Sequence, residues 1–342
     1  MDGDGLVKIG AIIAAAIVAV FIGLVVIAGA VVSVVAGGAK GVAPQALSLL
    51  WLPEVQQEAR AAGIPSALEL GVVQQASGGD YLTVTASGEG STDAGLGQVN
   101  SGQAPADPGW TTAGLTTSDP YTPVANIAAS VRLLAGDVAQ ANGSVTAGLG
   151  AYAASMAGPG GTPSATFGPG AISAANGFEA GPRLYAWPVG GEQKKGVLGF
   201  IGGGEWLAPA VAGSGSTWVI VTGEAPVGAS RQYGGQPWTG LEAPSSVTAT
   251  VDGSPETVQP STSAPKALAQ ATPPDSAYWW IPVPISTSAS TTVQVTATWT
   301  YTVTTQTDVP YACGHRTCYR TAEHTKTETK TATTSLALKG DG

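Results

Sequence analysis

Four carboxylates stand within or shortly after one predicted apolar helix, where their spacing bears on acid catalysis. Glu69 lies inside the helix predicted over residues 66–76, Asp80 follows its end, and Glu89 and Asp93 lie in the Gly- and Thr-rich loop beyond. A carboxyl group acts as a general acid when its raised pKa keeps a proton on it near neutral pH and when it reaches the leaving oxygen. The helix and loop must therefore position one of these groups for that chemistry to occur.

The elements around these carboxylates are predicted to be helical. Residues 49–60 place apolar side chains at helical spacing with charges on the other face, which favours a first helix. Pro65 suits the first turn of the next helix, and the pair Gly78-Gly79 ends it.

Residues 62–80 resemble the active-site helix of the soluble lytic transglycosylase (SLT) family, the goose-lysozyme-like enzymes that cut peptidoglycan. Three further segments resemble family motifs in the same order: residues 95–99 (Gly-Leu-Gly-Gln-Val), residues 118–134 with their Asp-Pro and Asn-Ile pairs, and residues 148–160, which end in Ala-Gly-Pro-Gly. The resemblance implies an α-helical lysozyme-like domain over residues 44–161. It also implies that peptidoglycan glycan strands are the partner.

The position of the family's general acid departs from the pattern. The family helix ends in Glu-Ser-Gly-Gly, whereas this chain reads Ala76-Ser-Gly-Gly. Glu69 precedes Ala76 by seven residues, which is about 10 Å along a helix, so it does not reach the same place. We therefore expect a domain that binds peptidoglycan without cleaving it. The alternative is an active lytic transglycosylase that uses a loop carboxylate, Glu89 or Asp93, with Asp80 as a third candidate.

Three polar residues are the substrate-binding candidates that the resemblance implies. They are Ser77, Gln98 and Tyr152, which occupy motif positions that border the sugar groove. The other interpretation of Gln98 and Tyr152 is that they satisfy their hydrogen bonds at the edge of a helical core. Asn126 is expected to cap a helix. No cofactor and no catalytic metal is expected.

The N-terminal region predicts a membrane anchor. Residues 9–36 are uncharged and almost entirely apolar. This run is longer than the roughly 20 residues that span a bilayer and longer than the 7–15-residue apolar core of a cleaved signal peptide. A signal peptide cut after Ala30 is the alternative. Because Lys8 and Lys40 balance each other, orientation rests on the resemblance, which places residues 1–8 in the cytoplasm and the C-terminal region outside.

A change of composition predicts a second part of the chain. Residues 162–182, rich in Gly, Pro, Ser and Ala, read as a linker, and residues 183–342 read as a β-rich domain of short apolar strands bounded by Gly and Pro. Residues 291–303 alternate apolar residues with Thr, and residues 319–338 are again Thr-rich. Together these two segments predict a long antiparallel hairpin.

Both cysteines of the chain flank the predicted hairpin tip. In an external protein, Cys313 and Cys318 most simply form a disulfide that clamps the turn. A zinc site that adds His315 and His324 to the two cysteines is the alternative.

Composition limits the remaining function classes. Charged residues make up only 11% of the chain and the net charge is −9, so the surface lacks the basic field that nucleic-acid binding needs.

The fold class predicted is α+β and multidomain, with one N-terminal transmembrane helix. The resemblance places such a protein in the cell envelope, within a secretion, conjugation or pilus apparatus, and a structural or adhesive surface protein is the further alternative.

Overall fold

A computed structural model describes residues 42–87, 92–100, 122–158, 160–194, 205–211, 215–266, 268, 278–313 and 316–341. Over these residues the chain is α+β, with a helical part followed by a β-rich part, as the sequence predicts. The predicted membrane anchor, residues 9–36, lies outside the described residues. Within the described ranges, the structure contains no helix with the length and hydropathy of a membrane span.

The first part consists mainly of helices. They are α1 (Pro44–Ser48), α2 (Leu52–Ala62), α3 (Ser66–Ser77), α4 (Pro123–Gln140), α5 (Val145–Ala157) and α6 (Phe167–Glu179), with a short 3-10 turn at Leu49–Trp51. Of these helices, α3 has the bounds closest to the sequence prediction. A proline stands in the first turn of α1, α2 and α4, where its missing N–H has no helical partner to lose. Gly63 and Gly78 end α2 and α3 with φ of 72° and 66°, which is the left-handed conformation that favours glycine.

Helix α3 forms the centre of the helical part, because every residue from Ala67 to Val73 is buried. It packs most closely on α6. A Cβ atom at Gly71 would lie 2.3 Å from the carbonyl oxygen of Ala171 and 3.1 Å from Cβ of Ala175. Small residues on both helices therefore let the two backbones approach.

The structure differs from the prediction of a linker over residues 162–182. Helix α6 occupies most of this segment, and Ala171, Ala175 and Phe178 are fully buried in the core. The Gly- and Ala-rich composition that suggested a linker instead supplies the small side chains that close packing on α3 requires.

A small antiparallel sheet follows α3 in the chain. Its strands are β1 (Val84–Ala86), β2 (Thr92–Ala94) and β3 (Val99–Asn100), with β2 in the middle. The turn at residues 95–98 joins β2 to β3.

Two sheets make up the β-rich part. The described strands are β4 (Arg183–Pro188), β5 (Glu192–Gln193), β6 (Trp206–Ala208), β7 (Ser216–Tyr233), β8 (Gln236–Glu242), β9 (Ser246–Val251), β10 (Ser254–Glu256), β11 (Gln259–Pro260), β12 (Trp279–Pro284), β13 (Thr291–Cys313) and β14 (Arg316–Gly340). One sheet has the order β10-β9-β13-β14-β6-β5, and the other has the order β11-β12-β7-β4, with β8 paired to β7.

The predicted long hairpin is confirmed. Strands β13 and β14 pair antiparallel from Thr291 opposite Leu338 to Cys313 opposite Arg316. A disulfide joins Cys313 to Cys318 at the tip, with their Cα atoms 5.8 Å apart, so these sulfur atoms are not free thiolate ligands. The neighbouring strands β9 and β6 reach only residues 293–298 and 338–340. Beyond them the hairpin continues as a two-stranded arm, defined here as residues 300–313 and 316–329.

One hydrophobic core runs through both parts of the described chain. It contains Leu68 and Ile127 of the helices together with Val219 and Ile281 of the strands. Polar contacts cross the same boundary: the Glu179 carboxylate of α6 accepts hydrogen bonds from the backbone N–H of Thr239 at 3.1 Å and 3.0 Å. The helical part and the β-rich part are therefore packed against each other rather than strung apart.

Candidate functional site

The C-terminal end of α3 is where the family motif places its acid. Ala76 is half-buried there and packs against the hydrophobic core. The Ser77 hydroxyl donates a hydrogen bond to the carbonyl of Val73 at 3.0 Å and accepts one from the N–H of Gly79 at 3.2 Å. Trp51 donates from its indole nitrogen to the carbonyl of Gly79 at 3.0 Å. The helix end is thus fixed by local bonds.

Gln98 lies at the turn between β2 and β3 with its side chain directed into the protein. It is 1% exposed and has a positive φ of 50°. Its amide nitrogen donates to the carbonyl of Thr83 at 2.9 Å and to that of Gly95 at 3.0 Å. These bonds close the turn and attach it to the loop before β1.

Asn126 attaches the same turn to α4. Its side-chain oxygen accepts from the N–H of Gly97 at 2.8 Å, and its side-chain nitrogen donates to the carbonyl of Ala94 at 2.8 Å. Both contacts are buried. Asn126 therefore bridges helix and hairpin, whereas the sequence suggests a helix cap.

A chain of buried oxygen atoms runs from α3 to this turn. Glu69 Oε1 of α3 lies 2.6 Å from Ser130 Oγ of α4, and Ser130 Oγ lies 2.8 Å from Tyr152 Oη of α5. Tyr152 Oη donates to the carbonyl oxygen of Gly97 at 2.6 Å. The Tyr152 ring also stacks on Phe167, with ring centroids 5.8 Å apart.

Burial dominates the electrostatics of this cluster. Desolvation raises the pKa of Glu69 from 4.5 to about 8, and the contact with Ser130 opposes part of that rise. Burial, followed by the negative charge on Glu69, holds the pKa of Tyr152 well above its ordinary value. Both side chains are therefore expected to be protonated near neutral pH.

Asp93, which the sequence placed in a loop, borders a cavity. It lies on β2, is 5% exposed, and accepts a hydrogen bond from the Asn100 side chain at 3.0 Å. The cavity has a volume of about 340 Å³, and its lining includes Thr85, Met156 and Phe167 besides Asp93.

The remaining loop candidates are placed differently. Asp80 accepts a hydrogen bond from the N–H of Leu82 at 3.0 Å, and burial raises its pKa. Glu89 lies outside the described residues.

A comparison with protein families identifies this helical architecture. Residues 54–161 match the family model of the transglycosylase SLT domain. Residues 54–161 therefore form a domain similar to those of the SLT family. The resemblance drawn from the four sequence motifs is thereby confirmed, and the matched SLT domain includes α2 to α5 together with the small sheet. No curated protein matches the chain.

The three predicted substrate-binding residues of the SLT domain direct their polar atoms at the protein. Ser77 bonds to its own helix, Gln98 to the turn, and Tyr152 to Gly97 and Ser130. These bonds within the protein are what side chains that stabilise the fold would make. Contact with sugar stays a prediction for all three.

Sequence reasoning missed the cluster that organises the SLT domain. It did not connect Glu69, Ser130 and Tyr152, because they come from three different helices and their proximity arises only on packing. One signal was available: Glu69 is a carboxylate within the run Leu68 to Val73, and a charged residue type in such a run needs a buried partner.

Proposed function

We propose that this chain binds peptidoglycan glycan strands through its SLT domain and does not cleave them. The observation that carries the proposal is Ala76, an alanine at the motif position of the family's general acid. Glu69 does not replace that acid, because its side chain is fully buried and contacts Ser130 inside the domain.

The cavity beside β2 supports glycan binding. It combines hydroxyl groups of Thr85 and Ser87 with the apolar side chains of Met156 and Phe167. Sugar rings present both hydroxyl groups and apolar C–H faces, so a mixed lining of this kind suits them. The Asn126 bridge and the Gln98 bonds hold the turn that follows β2, the strand whose Asp93 lines this cavity.

A second function, lytic transglycosylase activity, is favoured by one observation. Asp93 lines the same cavity and has its carboxylate positioned by Asn100. Glu89 is the other carboxylate proposed for this role. If either acts as the acid, its removal should lower cleavage about 10²–10⁴-fold, the usual contribution of a positioned general acid.

The deciding experiment incubates the full chain, purified in non-ionic detergent, with peptidoglycan sacculi. It scores pelleted protein and soluble anhydro-muropeptides together for the natural chain, Ala76→Glu, Asp93→Asn and Glu89→Gln. Ala61→Glu makes the same chemical change at an exposed position of α2 and serves as the control.

The proposed function predicts that the natural chain pellets with sacculi and releases no products, and that Ala76→Glu alone gains cleavage. Cleavage by the natural chain that is lost in Asp93→Asn or Glu89→Gln would establish the enzyme instead. If the natural chain neither binds nor cleaves, a structural or adhesive function remains. The exposed arm is then the element that would make the adhesive contacts.

We also propose that residues 9–36 anchor the chain in a cell membrane, with the C-terminal region outside and an envelope assembly as its setting. The uncharged apolar run supports the anchor, and the disulfide between Cys313 and Cys318 suits an oxidising exterior. Protease added to intact cells should degrade the β-rich part. Its protection until lysis would contradict the proposed orientation.

A further inference from the structure

The buried chain of oxygens from Glu69 to Gly97 contains three contacts in series. They measure 2.6 Å, 2.8 Å and 2.6 Å, and each lies in the range of an O–H···O hydrogen bond. Glu69, Ser130 and Tyr152 are at most 1% exposed, so water does not compete for these atoms.

The direction of each bond follows from counting hydrogens. The carbonyl oxygen of Gly97 can only accept, so Tyr152 uses its one hydroxyl hydrogen there. Ser130 must then donate to Tyr152 Oη, which uses the one hydroxyl hydrogen of Ser130. The contact between Ser130 Oγ and Glu69 Oε1 is left without a hydrogen unless the carboxyl group supplies it. A carboxylate would accept this bond from Ser130 and leave the middle contact as two facing lone pairs.

Among the residues that the structure describes, no cation acts on this cluster to hold a carboxylate. Burial and the bond to Ser130 are the effects that act on Glu69. The other charged groups that act on its neighbour Tyr152 are Asp137 of α4 and Asp93 of β2, both acidic. Helix α6 faces α3 with Ala171 and Ala175, and the buried titratable residue of α2 is Glu54, again an acid.

We infer that Glu69 is a neutral carboxylic acid whose proton begins a hydrogen-bond relay through Ser130 and Tyr152 to the carbonyl of Gly97. The relay ties α3, α4 and α5 to the turn between β2 and β3. Because β2 carries Asp93 to the cavity, Glu69 is a positioning residue for the cavity wall. Only this last step rests on the proposed glycan binding, since the relay itself does not depend on any ligand.

Loss of the proton breaks the relay. Burial raises the pKa of Glu69 from 4.5 to about 8, so the group remains protonated in the folded protein at neutral pH and ionises on the alkaline side. Since the folded state holds this proton more tightly than the unfolded state, the contribution of Glu69 to stability is fully present below about pH 4.5 and is lost as the pH rises through about 8.

Infrared spectroscopy of the full chain at neutral pH tests the protonation directly. The natural chain should show a protonated-carboxyl C=O band that decreases in Glu69→Gln and is unchanged in Glu242→Gln, a matched change at an exposed site. Glu224, whose pKa burial raises to about 9, contributes a second part of that band. Glu69→Gln with Glu224→Gln should remove most of it and leave a small part from Asp137, whose pKa burial raises to about 6. An unchanged band in Glu69→Gln would overturn the inference.

The conservative variant Glu69→Gln distinguishes a hydrogen-bond relay from a role of Glu69 in packing alone. The amide of Glu69→Gln can donate the same hydrogen bond to Ser130 but cannot ionise. We expect it to retain the fold and to lose a pH dependence of up to tenfold per pH unit in the unfolding equilibrium constant between about pH 5 and pH 8. An unchanged pH dependence in this variant would count against the relay. If it fails to fold, titration of the glutamate side-chain ¹³C signals in Glu224→Gln decides, because ordinary midpoints for all glutamates of that variant would refute a protonated Glu69.

Sacculus pelleting on both sides of the titration tests the positioning role. The natural chain should lose retention at about pH 9 relative to about pH 6, while Glu69→Gln retains it. Equal retention of both proteins at both pH values would refute positioning. If neither pellets at any pH, the proposed function fails, and the infrared and ¹³C measurements still decide the relay.

Discussion

Individual polar side chains hold the SLT domain together by reaching between elements. Asn126 bonds to both sides of the turn between β2 and β3, Gln98 closes that turn, and Tyr152 reaches its central carbonyl. A buried polar atom left without its partner costs about 1–3 kcal/mol, which exceeds the net gain from an average hydrogen bond. Each of these side chains is therefore expected to be sensitive to substitution.

Tyr152→Phe tests this sensitivity at the residue scale. The variant keeps the ring stacked on Phe167 but removes the hydroxyl that Gly97 and Ser130 contact. We expect the free energy of unfolding to fall by about 1–3 kcal/mol, measured by urea denaturation. Tyr319→Phe, at a side chain that is 65% exposed, is the control and should change it by less than about 0.5 kcal/mol. Equal effects of the two variants would contradict the assignment.

At the scale of elements, the distance between α3 and α6 depends on glycine. Gly71 brings the backbone of α3 against Ala171 and Ala175 of α6. This contact brings residues 167–179 into the hydrophobic core, and α6 then contributes Phe167 to the cavity and to the stacking on Tyr152.

Gly71→Ala should destabilise the protein although alanine is the better helix former. The new methyl group would lie 2.3 Å from the carbonyl oxygen of Ala171, and overpacking of this kind costs about 1–3 kcal/mol. Gly136→Ala in α4 is the matched control, because nothing lies within 4 Å of its Cβ position. It should stabilise by up to about 1 kcal/mol. Thermal unfolding of both variants measures the difference, and stabilisation by both would refute close packing at Gly71.

The arm is an element whose tip does not share the core. The tip is closed by the disulfide between Cys313 and Cys318, while Val293, Val295 and Trp299 of the same strand β13 are buried between the sheets. Loss of the covalent bond should therefore loosen the tip without unfolding the sheets.

Hydrogen exchange of Cys313→Ser with Cys318→Ser tests this separation. We expect amide protection to fall at residues 308–313 and 318–321, while residues 293–298, which pair with β9 as well as β14, keep theirs. Reduction of the natural chain should reproduce the pattern and should not change the double variant. A loss of protection that extends through residues 293–298 would mean that the disulfide supports the whole sheet.

At the scale of the whole molecule, two buried acids in different parts of the shared core make the stability of the fold depend on pH in the same direction. Burial raises the pKa of Glu69 in the helical part to about 8. Burial also raises the pKa of Glu224 on β7 to about 9, against the opposing effect of the Arg183 guanidinium. Both groups bind their protons more tightly in the folded state than in the unfolded state, so both favour folding at acidic pH.

The melting temperature of the full chain should therefore fall from about pH 5 to about pH 9. Each acid lowers the free energy of unfolding by up to about 1.4 kcal/mol per pH unit while it is protonated in the folded state and ionised in the unfolded state. Circular dichroism melts of the natural chain and Glu224→Gln measure this, with Glu242→Gln as the surface control. The slope should decrease only in Glu224→Gln. A melting temperature that rises over this range would show that these acids do not bind their protons more tightly in the folded state.

The amino-acid sequence by itself determined the elements whose signals are local. Pro65 and Gly78 mark the bounds of α3, the alternation of apolar residues with Thr marks β13, and the spacing of Cys313 and Cys318 marks the closed tip. The order of four motifs was enough to indicate the SLT family.

Only the tertiary structure decided which polar residues meet. Glu69, Ser130 and Tyr152 lie on three helices, and α6 joins the core through contacts with Gly71 that no local pattern in residues 162–182 announces. The physical reason is that hydrogen bonding and desolvation depend on distances across the fold, whereas propensity and periodicity describe neighbours along the chain. For this reason the alanine at position 76 can be read from the sequence motif, whereas the protonation of Glu69 follows only from its burial in the packed fold.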